Sequence, residues 1–148
     1  MDNDLILKMN ENSKKFIAVL NKKFEVWRLF NALGHATAWL ISLNKDIEEF
    51  GFLDYKDGDD KSHPAISHYG FIILKADNSN QILRLRQTCQ EQSILSNDFT
   101  TSMTIWTSIE QYNQTRQIKE QDLEYLCIVM FGDSDKISPF TKKFSLFK

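Results

Sequence analysis

Seven consecutive apolar residues, Tyr125-Leu126-Cys127-Ile128-Val129-Met130-Phe131, run directly into Gly132-Asp133. A strand with one wet face would alternate apolar and polar side chains. An unbroken run suits a strand covered on both faces, so this chain must place layers on either side of a sheet. Phe16-Ile17-Ala18-Val19-Leu20 reads as a second buried strand, closed by a turn at Asn21-Lys22-Lys23. Tyr69 to Lys75 reads as a third. From Phe24 to Leu43 the period changes: Val26, Leu29, Leu33, Ala36, Leu40 and Leu43 recur at helical spacing.

Asp77, Asn78 and Ser79 offer caps for a second amphipathic helix. It carries Ile82, Leu83, Leu85 and Cys89 inward, with Arg84 and Arg86 on the wet side. Phe99 to Trp106, rich in Thr and large apolar residues, favours a strand. Thr107-x-x-Glu110 and Ser108-x-x-Gln111 are capping-box patterns that start a third helix. Asn44 to His63 is polar, acidic and broken by Gly51 and Gly58, and reads as an irregular loop. The tail, with Phe140, Phe144 and Phe147, is expected to pack back as a short strand or turn.

The order β-α-β-α-β-α-β plus a tail predicts an α/β protein with helices on the faces of a mixed sheet. With 148 residues, one domain over 1–148 is expected, its ordered core at about 14–147. Hydrophobic residues at 42% and charged residues at 26% match a globular chain rather than a disordered one. Five glycines and two prolines are too few for long linkers.

The formal charge of -2 gives no electrostatic case for nucleic acid, and the paired lysines are dispersed among acidic stretches. Cys89 and Cys127 show no metal spacing and read as small hydrophobes in a reducing compartment. The uncharged run from Leu29 to Asn44 is shorter than a membrane span, and Met1-Asp2-Asn3-Asp4 leads into no apolar targeting segment. A cytoplasmic protein without membrane attachment is the expectation.

Three clusters could carry chemistry. Arg28, Asn31 and His35 share one stripe of the first helix, continued by Ser42 and turned away from Leu29, Ala36 and Leu40. No charge follows Arg28 until Lys45, so the stripe is expected to be half-buried under a loop, the tail or a partner subunit. A half-buried His35 could serve acid–base chemistry, or simply pair with a backbone carbonyl. The second cluster, His63-Pro64-Ala65-Ile66-Ser67-His68, follows Asp57, Asp59 and Asp60. An EF-hand starting at Asp57 would need Gly and Glu where Ser62 and His68 stand, and no G-x-S-x-G elbow surrounds Ser67. No metal is expected. The third cluster, Thr100-Thr101-Ser102-Met103-Thr104, could line a pocket with hydroxyls or reflect strand propensity alone. Phosphate-loop and dinucleotide fingerprints are absent, so no cofactor is expected.

These residues carry a resemblance. Asn31-Ala32-Leu33-Gly34-His35-Ala36-Thr37-Ala38 is similar to the helix signature of the bacterial family called domain of unknown function 2000. His63-Pro64-Ala65-Ile66-Ser67, Phe99-Thr100 with Met103, Glu110-Gln111, Asp122-Leu123-Glu124-Tyr125, Phe131-Gly132-Asp133 and Thr141 to Leu146 follow in order. The likeness spans about 14–147. That family resembles the second, archaeal and eukaryotic, type of peptidyl-tRNA hydrolase. The resemblance implies a three-layer sandwich around a four-stranded mixed sheet, often dimeric. Against the hydrolase helix pattern G-K-x-x-x-Q-x-x-H-A, His35-Ala36 matches, while Ala32 stands at the Gln position and Arg28 at the Lys position.

The first functional reading is a binding module for a small polar ligand, in a pocket near the first helix built from Arg28, His63, Ser67, Thr100 and Met103 and completed by Asn31 and His35. An alternative is hydrolysis of an ester-like bond such as that of peptidyl-tRNA. There His35 would act as acid–base group, Asn31 and Thr100 would orient it, and Arg28 would meet an anionic substrate. A further alternative is a protein–protein module using the aromatic tail, and a homodimer fits the first and last of these.

Overall fold

The computed structural model describes residues 2–148. Its centre is the pair of apolar runs. Strand β1 (Lys14–Asn21) lies between β6 (Tyr125–Asp133), antiparallel to it, and β4 (Phe71–Ala76), parallel to it. Ile17 sits opposite both Met130 and Ile72, so the longest apolar segments stack side by side. Strand β5 (Leu95–Thr100) pairs antiparallel with the outer side of β6, and β7 (Ser145–Leu146) with the outer side of β4. The sheet is thus five-stranded, in the order β5-β6-β1-β4-β7, rather than four-stranded. The added strand is the aromatic tail, which closes the β4 edge through Leu74–Leu146 and Lys75–Ser145 pairs.

The strand period of two divides the central strands between two cores. Phe16, Ala18 and Leu20 join Val129 and Phe131 beneath helix α2 (Val26–Leu43), which contributes Leu29, Ala32, Ala36 and Leu40. Ile17 and Val19 join Ile128 and Met130 on the opposite face. There they meet Ile82, Leu85 and Cys89 of α3 (Ser79–Glu91) and Ile137 of α5 (Ser134–Thr141). Both faces of β6 are therefore dry, as its unbroken apolar run requires. Asn78 caps α3 by accepting from the Gln81 amide. Thr107 and Glu110 form the expected capping box at the start of α4 (Ser108–Gln117).

Three segments depart from the sequence reading. Leu95 to Asp98 belong to β5 although Ser96, Asn97 and Asp98 are all polar; β5 is a sheet edge, where such side chains stay partly wet. The chain then leaves the sheet at Thr101 in a 3-10 turn, so the strand does not extend to Trp106. The residues after β6 first form helix α5, which the sequence reading did not mark, before the tail packs back as the short strand β7. The expected loop from Asn44 to His63 contains a 3-10 turn at Ile47–Phe50, strand β2 (Phe52–Lys56) and the start of β3 (Ser62–Ser67).

These two strands form an antiparallel hairpin separate from the main sheet. Its tip is held by the Asp57 carboxylate, which accepts from the Asp59 and Lys61 amides. Its base turns at Gly51, whose φ of +58° favours glycine; an added Cβ would also stand 3.2 Å from the Tyr69 ring. Helix α1 (Asn3–Ile6) braces the outer side. The Asn3 amide donates to the Asp54 carbonyl at 2.8 Å and accepts from the Asp54 amide at 3.1 Å, and Ile6 is fully buried.

Candidate functional site

Hairpin β2–β3 stands off the start of the central strands, and the space between them is the site. A cavity of about 550 Å³ lies between the α2 residues Thr37 and Ile41, the hairpin residues Phe52, Ala65, Ile66 and Ser67, and Phe16, Tyr69 and Phe71 at the sheet end. Phe16 and Phe71 are paired across β1 and β4, and their rings stack at 5.4 Å and 10° to form an aromatic floor. Ile66 and Phe71 are exposed at the mouth. No charged side chain lines the cavity.

Two hydroxyls in this wall lack hydrogen-bond partners. The Tyr69 and Thr37 oxygens are buried, and neither meets a donor or acceptor among the described residues. A buried polar group left unpaired costs about 1–3 kcal/mol, so such groups are rarely kept without a reason. Ser67, by contrast, is fully engaged: its hydroxyl donates to the Phe50 carbonyl at 2.6 Å and accepts from the Tyr69 amide at 3.0 Å. It locks the hairpin base and sets the position of Tyr69, assisted by the His68 amide donating to the Gly51 carbonyl at 2.7 Å.

Of the seven residues singled out in the sequence, only Ser67 lines this cavity. Asn31 and His35 lie exposed on the outer face of α2, not half-buried as expected. The β5 edge reaches just one flank of the helix: the His35 ring stacks on Phe99 at 5.6 Å and 13°, and the Asn97 amide donates to the Ala36 carbonyl. Among the described residues no loop or tail segment covers the rest of that face, where Asn31, Gly34 and Ala38 stay exposed. Arg28 pairs with Glu25 at 3.6 Å and lies over the Phe24 ring.

His63 is at the hairpin tip, 3.1 Å from the Asp57 carboxylate. That carboxyl is held below its ordinary range, first by the Lys61 amide and then by His63. Thr100 is buried at the end of β5, where its hydroxyl meets Ser102 at 2.8 Å and Ser102 meets Thr115 at 2.7 Å. This hydroxyl chain ties the 3-10 turn to α4, and Met103 sits half-buried in the same turn.

A charged cluster lies elsewhere. Arg86, expected on the wet side of α3, is drawn inward, with its Nε 2.9 Å from Asp98 and its Nη1 on Glu120. Burial raises the Asp98 carboxyl above its ordinary value and the Arg86 charge partly offsets that. Desolvation also raises the thiols of Cys89 to about 11 and Cys127 to about 12, and both remain free and inert in the cores. Among the described residues no three His, Cys, Asp or Glu side chains gather as a metal site, and no helix is long and apolar enough to cross a membrane.

The family profile described as "Protein of unknown function (DUF2000)" matches residues 14–148. The chain belongs to the DUF2000 family. Among solved structures, this DUF2000 chain is similar to a protein of unknown function from Agrobacterium tumefaciens strain C58. The likeness has a TM-score of 0.77 at 14% identity and covers 92% of this chain and 98% of the other. At that identity it shows a shared fold. No curated protein matches the chain.

The cavity residues carried a weak sequence signal. Tyr69 stands between the His63–His68 cluster and a strand, and Thr37 interrupts an apolar helix flank. Nothing local marks them as neighbours, because β1, α2 and the hairpin meet only on folding.

Proposed function

We propose that this DUF2000 protein is a cytoplasmic binding module for a small, mainly apolar ligand bearing one or two neutral polar groups. The observation that carries the reading is the cavity of about 550 Å³ with an aromatic floor, no lining charge and two unpaired hydroxyls. Ligand sites commonly combine an apolar lining with a few polar groups that fix orientation. Small rotations of Thr37 and Tyr69 would let a ligand hydroxyl or carbonyl pair with oxygens that now lack partners. The ligand is therefore less polar than the sequence clusters implied.

The lining offers no carboxylate, imidazole or thiol, and its serine already makes two hydrogen bonds, which favours binding over acid–base turnover. Two free, buried thiols fit a reducing compartment. A hydrolase reading through His35 draws no support from this geometry: the ring is exposed, stacks on Phe99 and makes no hydrogen bond among the described residues.

The test is a titration with naphthol, indole and medium-chain alcohols, followed through the methyl resonances of Ile41 and Ile66. Binding should perturb both methyls together, and Ala65→Trp, which fills the cavity from an exposed strand, should abolish it without lowering the melting temperature. Equal binding by wild type and Ala65→Trp, or no response to any probe at millimolar concentration, would overturn the proposal.

A further inference from the structure

A second pocket, of about 370 Å³, opens where three helices meet the end of the sheet. Helix α2 ends beside it at Leu43 and Asn44, α3 ends just before Ser93, and α5 begins after Asp133. The volume lies within the ~300–1,000 Å³ of small-molecule sites. The pocket shares no lining residue with the apolar cavity; Phe131 lines the one and Phe16 the other, with ring centroids 4.4 Å apart.

Its lining is unlike that of the cavity. Glu49, Lys14, Asp133 and Lys136 form a row of alternating charge. Glu49 is 3.7 Å from Lys14, Lys14 sits opposite Asp133 across β1 and β6, and Asp133 is 3.4 Å from Lys136. Both separations exceed the ~3.2 Å limit of an ordinary N–H···O bond, so these charges do not saturate one another. Partly exposed pairs of this kind contribute little, and a ligand can part them at small cost. The Asn44 amide donates to Glu49 at 2.9 Å and fixes that carboxylate in place. Leu43, Ile94, Leu95 and Phe131 supply an apolar wall beside the charges.

The turn at Ser93, also in the lining, points to a ligand independently. Its φ is +54°, in the left-handed region. The Ile94 amide donates to the Cys89 carbonyl at 2.8 Å and the Ser93 amide to the Gln90 carbonyl at 3.3 Å. Helices commonly close in this way, with glycine at the left-handed position because it has no Cβ to strain. Serine adds a hydroxyl there, and that hydroxyl makes no hydrogen bond among the described residues. Residues held in such backbone strain cluster at ligand sites.

We infer that this pocket binds a free α-amino acid with an apolar side chain. Such a ligand carries its ammonium and carboxylate side by side, and the Glu49–Lys14 pair presents the complementary charges 3.7 Å apart. The ammonium meets Glu49 near the end of α2, where the helix dipole also favours a cation. The carboxylate meets Lys14 and accepts from the Ser93 hydroxyl, and the side chain lies on the apolar wall. Two ammonium and two carboxylate groups in the lining match a ligand of zero net charge. A phosphate or a polyamine would face two like charges.

The test is a titration of the full chain with L-leucine, followed through the methyl resonances of Leu43, Ile94 and Leu95. All three should shift together, while Ile41 and Ile66 in the apolar cavity stay unmoved. Isoamylamine and 4-methylpentanoate each lack one of leucine's charges and should bind roughly tenfold more weakly or worse. Glu49→Gln should weaken leucine and isoamylamine by a similar factor and leave 4-methylpentanoate unchanged. Lys14→Gln should show the opposite preference. Ser93→Gly should raise the melting temperature of the ligand-free protein and weaken leucine binding. No shift at millimolar leucine would overturn the inference, as would equal affinity for the three compounds. Shifts at Ile41 and Ile66 alone would place leucine in the other cavity and overturn it as well. Full affinity for leucine in both Glu49→Gln and Ser93→Gly would refute the site.

Discussion

Tyr69 and Tyr125 are both buried tyrosines in which loss of one oxygen should have opposite consequences. The Tyr125 hydroxyl donates to the Glu120 carbonyl at 3.1 Å, whereas the Tyr69 hydroxyl has no partner among the described residues. Tyr125→Phe breaks a bond and leaves the Glu120 carbonyl to be satisfied by water, a loss of about 1 kcal/mol. Tyr69→Phe leaves the ring packing against Phe131 and Gly51 intact and removes an oxygen whose burial is uncompensated. It should therefore stabilise the ligand-free protein by about 1 kcal/mol, the low end of the ~1–3 kcal/mol cost of an unpaired buried group. For a chain of this length that is a rise of about 2–4 °C in Tm. Urea denaturation of the wild type and both variants would show the difference as midpoint shifts of opposite sign at constant m. The same Tyr69→Phe variant should bind a hydroxylated probe more weakly than the wild type does. If Tyr69→Phe lowers stability as much as Tyr125→Phe, the hydroxyl is already satisfied in the free protein and the argument for its role in ligand binding fails.

Two further perturbations probe other parts of the fold. Thr107→Ala removes the capping box of α4, worth about 1 kcal/mol to that helix, but α4 buries no residue. Hydrogen exchange over 108–117 should accelerate while the global denaturation midpoint stays nearly unchanged; a large global loss would mean that α4 unfolds with the core. Asp98→Asn tests the buried cluster through pH. Because the folded-state pKa of Asp98 is raised, chiefly by desolvation, its contribution to stability is fully present in acid and fades as pH rises through that value. The stability of Asp98→Asn relative to the wild type should therefore improve from about pH 4 to pH 7. A flat or falling difference would show that the Arg86 charge outweighs burial.

The segments legible in the sequence are those whose signal is local. The run Tyr125–Phe131, the helical spacing from Val26 to Leu43, Asn78 as a cap and the Thr107–Glu110 box each specify a conformation through neighbours only a few residues away. The two-sided burial of β6 followed from its composition alone, because unbroken apolar strands need cover on both faces. Family membership was legible too, since short motifs in order along the chain survive in the linear sequence.

Tertiary structure decided the rest, for reasons of neighbourhood. Leu95 to Asp98 become a strand only because β6 supplies a ladder, and the tail becomes an edge strand only because β4 lies beside it. The hairpin was hidden by its charged tip, where the Asp57 carboxylate organises the turn. On α2, the missing charge pointed to a covered stripe, but only the three-dimensional arrangement shows that this chain leaves it open. The cavity joins residues as far apart in the chain as Phe16 and Phe71. An unpaired hydroxyl is a property of every group that surrounds it, so no local pattern could have marked Tyr69 or Thr37.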